Sequence, residues 1–175
     1  MHELAGRRFE LRGQLADALR EYRSAAMLEP RRPGIHYLIG NILWRTRELD
    51  AAAGELSTEL TLNPHHDLAN LRLGQIWLAR NEAERALPFL ERAARAMPES
   101  IEARRELGKA YQKSGRLPDA RREWESVAKS RPDDDQVHYL LGNLYREMGE
   151  AALARQELER HRRILERRRA AAEKK

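Results

Sequence analysis

Few residues in this 175-residue chain are grouped so that they could do chemistry. The densest group is His65, His66 and Asp67, directly after Pro64. Adjacent histidines cannot readily share one metal ion, and no third histidine is near in sequence. The trio therefore reads as a surface loop in which Asp67 caps the next helix. His36 and His138 open two closely similar segments, HYLIGNIL and HYLLGNLY, and read as residues packed between helices. Most carboxylates have an arginine or lysine three or four residues away, the pattern of a solvated helical face. The chain has no phosphate-cradling glycine loop, His-Glu-x-x-His, G-x-S-x-G or calcium loop. It also has no cysteine, which removes disulfides and thiolate metal sites. No catalytic residue, metal ligand or cofactor is assigned, and an enzyme is not expected.

Charge points to binding, but only in one place. The formal net charge is +5, and residues 151–175 carry nine bases against four acids, which is the whole excess. Residues 1–150 are formally neutral, so a basic field over the body is not supported and nucleic acid is not the expected partner there. No apolar run approaches the roughly 20 residues of a membrane helix. The first twenty residues are charged throughout and contain no secretory core, so the expected location is cytoplasmic.

The elements that must position any site follow from an internal repeat. Gly6, Gly40, Gly74, Gly108 and Gly142 are each 34 residues apart. Pro30, Pro64, Pro98 and Pro132 keep the same step, as do Ala18, Ala52, Ala86, Ala120 and Ala154. Small residues at fixed slots let two helices approach closely, and large residues fill the complementary slots. One large set is Phe9, Leu43, Trp77, Tyr111 and Tyr145; another is Tyr22, Leu56, Leu90, Trp124 and Leu158. The prolines separate units, because the residue before proline disfavours helix. A second glycine slot, at Gly13, Gly115 and Gly149, marks the turn inside a unit. Asn81 suits that slot, whereas Arg47 is expected to take a different local turn.

The 34-residue period with this Gly, Tyr, Ala and Pro pattern resembles the tetratricopeptide repeat over nearly the whole chain. The fold class implied is all-α, an α-α superhelix: a solenoid of antiparallel helix pairs. The expected organisation is one solenoid over 1–169, with units of about 1–32, 33–66, 67–100, 101–134 and 135–168, and a frayed basic tail at 170–175. One departure is the early first-helix slot, often Trp in the family, which holds His2, His36, Asn70, Arg104 and His138. Another is Glu166 in place of a proline, so the last second helix is expected to run on.

In this family the first helices line a concave groove that holds extended peptides or partner helices. The stripe opposite the core then gives Tyr37, Asn41, Trp44 and Arg45 in the second unit, and Leu71, Gln75 and Leu78 in the third. The fourth unit offers Arg105, Lys109 and Gln112, and the fifth Tyr139, Asn143 and Arg146. Amides can bond a peptide backbone, aromatic rings supply anchor area, and Arg105 with Lys109 would favour an acidic group. The resemblance thus implies a scaffold for a protein or peptide, with no small-molecule substrate. Two alternatives are the basic C-terminal arm on nucleic acid, and self-assembly, such as a homodimer, through an uncapped N-terminal face.

Overall fold

At every 34-residue glycine slot, a large side chain of the following helix fills the space where a Cβ would stand. A methyl group on Gly40 would lie 2.8 Å from Leu56 Cγ, and one on Gly142 would lie 2.6 Å from Leu158 Cγ. Gly6 meets the ring of Tyr22, Gly74 meets Leu90 and Gly108 meets the indole of Trp124. The repeating Gly and the large residue sixteen positions later are therefore one packing device, stamped into every helix pair.

A computed structural model describes residues 1–173. Lys174 and Lys175, which belong to the expected basic tail, lie outside the described residues. The chain divides into two compact units, Met1–Ala96 and Met97–Lys175. The first unit contains α1 (His2–Leu11), α2 (Leu15–Leu28), α3 (Ile35–Arg45), α4 (Leu49–Leu62), α5 (Asp67–Ala79) and α6 (Ala83–Ala96). The second contains α7 (Ile101–Lys113), α8 (Leu117–Ser130), α9 (Asp135–Glu147) and α10 (Ala151–Ala172). The fold is all-α, built of antiparallel helix pairs of the solenoid type, with no strand among the described residues.

Within the first unit the pairs α1/α2, α3/α4 and α5/α6 pack internally, and α2 meets α3 as α4 meets α5. Its core is formed by Tyr22, Ile35, Ile39, Ile42, Leu43, Leu56, Leu73, Ile76 and Leu90, all fully buried. Each such aliphatic side chain stabilises the fold by about 1.5–3 kcal/mol. In the second unit α7/α8 and α9/α10 pair, and Trp124, Val127, Val137, Leu141, Leu144 and Tyr145 form the core. The helix α10 runs on past position 166, as the missing proline implies, and reaches Ala172.

The turns inside the pairs share one geometry. Gly13, Gly115 and Gly149 have φ of 73°, 72° and 78°, and Asn81 has 62°. Arg47, expected to differ, adopts the same left-handed conformation at φ 68°. Packing of α3 against α4 fixes the turn and overrides the residue's own preference, at about 1–2 kcal/mol for an L-residue. The cap of α5 is a second correction. His66, not Asp67, is the capping residue, and its ring accepts from the Ala69 amide at 3.2 Å while Asp67 begins the helix. Ser100 and Asp134 cap α7 and α9 in the same way.

Candidate partner-binding face

In the first unit the candidate face is built on α3. Tyr37, Asn41 and Trp44 are partly exposed and lie about one turn apart. The Tyr37 ring packs on His66, with centroids 4.4 Å apart. The Arg72 guanidinium lies over the Trp44 ring at 4.2 Å and donates to Gln75 Oε1 at 2.8 Å. Arg45 donates to Glu10 Oε1 at 2.7 Å, and the other oxygen of Glu10 accepts from the Tyr22 hydroxyl at 2.9 Å. The side chain of Asn41 has no hydrogen-bond partner among the described residues, which leaves its donor and its acceptor available between two aromatic rings. Leu71 and Leu78 were expected on this face but are buried, at 1% and 8% exposure. Here α5 is apolar nearly all round, because it packs against α3 as well as α4 and α6. A stripe assigned by spacing alone overestimates its open side.

In the second unit the candidate polar groups are largely engaged. Arg105 donates to Asp134 Oδ2 at 3.4 Å, and Lys109 donates to Glu106 Oε1 at 2.8 Å. Gln112 donates to Glu147 Oε2 at 2.7 Å, and Arg146 donates to the side-chain oxygen of Asn143. Tyr139 is half exposed and lies against the His161 ring, with centroids 5.5 Å apart. The expected preference of Arg105 and Lys109 for a ligand's acid is thus already met by carboxylates of the same chain.

A second set of polar contacts was not foreseen. His36 Nδ1 lies 2.6 Å from Glu55 Oε2 and its Nε2 lies 3.0 Å from the Pro30 carbonyl. His138 repeats this with Glu157 at 2.6 Å and Pro132 at 2.8 Å. Arg104 reaches Glu123 and the Pro98 carbonyl, and His2 reaches Glu21. The slot that departs from the family's Trp therefore clamps the first helix to its second helix in four of the five repeats, and from the second repeat onward it also bonds the carbonyl of the preceding proline. Asn70 keeps only the proline half, bonding the Pro64 carbonyl at 3.1 Å. Its partner position is Phe89, and its buried Oδ1 has no partner. The signal in the sequence was a basic residue followed nineteen positions later by glutamate, at four of the five slots.

The electrostatics follow from these contacts. Burial by itself lowers the pKa of His36, but hydrogen bonds to Glu55 and the Pro30 carbonyl and the charges of Glu55 and Glu59 outweigh it, so the net shift is upward. Glu59 is fully buried and accepts the Gly34 amide at 2.8 and 2.9 Å and the Tyr37 amide at 3.3 Å. A carboxylate from α4 thus caps α3, which has no capping side chain of its own, at the positive end of its dipole. Among the described residues no group of three potential ligands could hold a metal ion, and no helix is long and apolar enough to cross a membrane.

Helix pairs joined by left-handed turns, with a Gly-to-large-residue packing slot in each, define a helical-repeat binding protein. Three sequence models of the tetratricopeptide repeat match residues 4–65, 78–144 and 135–160, and the chain belongs to this family. It is 30% identical over 105 residues to the BBSome complex member BBS4 of Bos taurus. That match spans 60% of this chain and 20% of the relative, so it touches only about a fifth of that protein. Among solved structures, MamA 41-end from Desulfovibrio magneticus RS-1 superposes with a TM-score of 0.84 at 24% identity, covering 97% of this chain and 94% of that one. YrrB, described as a TPR protein with an unusual peptide-binding site, gives 0.87 at 21% identity, covering 93% and 84%. At these identities the likeness is one of fold.

Proposed function

We propose that this chain is a protein-interaction module that holds an extended or helical segment of a partner, with α3 as its main contact. The observation that carries this reading is Asn41, an unengaged amide with Tyr37 one turn before it and Trp44 one turn after it. An amide can donate to and accept from a peptide backbone, and rings at one-turn spacing supply the anchors that dominate binding energy. Membership of the tetratricopeptide family supports it, as does the peptide-binding site ascribed to YrrB. The rings and the amide on α3 favour a ligand segment that is apolar and rich in backbone or side-chain amides. No small-molecule substrate or catalytic step enters this reading.

The test is selection from a displayed random-peptide library, followed by calorimetry on the selected peptide. Asn41→Ala and Trp44→Ala are each expected to weaken binding about tenfold, with the thermal melt of Asn41→Ala unchanged. Unchanged affinity in both variants, or no peptide selected, would overturn the assignment.

A further inference from the structure

We infer that the outer part of α10 is a docking surface for duplex nucleic acid, contacted through the phosphate backbone. Among residues 151–173 there are seven arginines and four glutamates, and the glutamates are largely spent within the helix or against its neighbour. Glu157 bonds His138 and Arg160, and Glu159 accepts from Arg162 and Arg163. Arg155, Arg167 and Arg169 have no partner among the described residues and are exposed.

The shape of the segment matches this charge. From Glu166 to Glu173 every residue is exposed, and the helix is open there except on the side that Arg168 turns to the protein. An α-helix with its side chains is about 10–12 Å across, and the major groove of duplex DNA is about 12 Å wide. Arg168 is turned to the protein, where it bonds Asp135 and the Asp133 carbonyl. At about 100° per residue, Arg167 and Arg169 then point to opposite flanks, as two phosphate walls require. Arg155 lies about 21 Å earlier on nearly the same flank as Arg169. An anionic membrane fits poorly, because the exposed stretch has no wide apolar face. The acids on or beside this surface are Glu166, which faces Arg162, Glu173, Asp133 and Asp135, and Arg168 covers the last.

The experiment is fluorescence anisotropy of the full chain with a labelled DNA duplex of about 20 base pairs, at salt from about 50 to 200 mM. Binding is expected at about 150 mM salt, with log K falling linearly in log salt. The triple variant R155Q/R167Q/R169Q is expected to bind about tenfold or more weakly and to flatten the slope by about 3, since each lost phosphate contact removes about 0.9. Its circular-dichroism melt is expected to match the parent, because the three exposed side chains make no hydrogen bond or ion pair among the described residues. Asn41→Ala is expected to leave duplex binding unchanged, which separates this surface from the peptide-binding face. Absence of binding at about 50 mM salt, or a triple variant that binds like the parent, would overturn the inference. So would polyglutamate competing as well as the duplex, which would assign the surface to acidic proteins.

Discussion

The same substitution, glycine to alanine, is expected to have opposite signs at two helical positions of this chain. Gly54 lies in α4, is exposed, and has no atom within 4 Å of the place a Cβ would take. Alanine there gains helix propensity with no clash, so Gly54→Ala stabilises by about 0.8–1 kcal/mol. Gly108 lies in α7, and an added methyl would stand 2.6 Å from Trp124 Cδ1 and Cε2. Ordinary carbon contacts are about 3.5–4.0 Å, so the indole must move by about 1 Å. Trp124 is fully buried, and its Nε1 donates to the Arg105 carbonyl at 3.1 Å, so the move also breaks a buried hydrogen bond. Overpacking costs about 1–3 kcal/mol and the lost bond about 1 kcal/mol, against a propensity gain of about 1 kcal/mol. The net expectation for Gly108→Ala is a loss of about 1–3 kcal/mol. Urea unfolding followed by circular dichroism reads both, as midpoint shifts at constant slope. A Gly108→Ala protein as stable as the parent, or a Gly54→Ala protein less stable, would refute the packing account of the 34-residue glycine.

Two further outcomes rest on local geometry. Arg47→Gly is expected to stabilise by about 1 kcal/mol, because glycine takes the left-handed turn at φ 68° without the strain of a side chain; a thermal melt raised by about 2–4 °C checks it. His36 is expected to titrate above the ordinary value of about 6.5 in an NMR titration of its ring, because its partners outweigh burial. The folded state then holds a proton that the unfolded state releases. This contribution to stability is complete below about pH 6.5 and is lost as pH rises through the folded value. His36→Gln should therefore remove part of the fall in urea midpoint between about pH 6 and pH 8, and an equal fall in both proteins would refute the clamp's electrostatic role.

The glycine-to-large-residue slots and the helix-pair order were legible in the sequence because they are local and periodic. Each 34-residue step is one helix pair with its two connections, so a residue type repeated at that step returns to the same place in each pair. Turn geometry was legible where glycine or asparagine stood, and misjudged at Arg47, where the neighbouring helices dictate φ. The candidate face was legible only in outline. Spacing placed Tyr37, Asn41 and Trp44 on one stripe, but it also placed Leu71 and Leu78 there, which the surrounding helices bury. Spacing could not show that Arg105, Lys109 and Gln112 are already bonded to acids of the same chain, nor that Glu59 reaches across from α4 to cap α3.

The sequence by itself determined that the chain is a stack of tetratricopeptide helix pairs, since period and residue size suffice to pair each helix with the next. Only the tertiary structure decided which polar groups remain open to a partner. That depends on distances between side chains far apart in sequence, which vary by several ångströms with helix packing and rotamer while the repeat pattern stays the same.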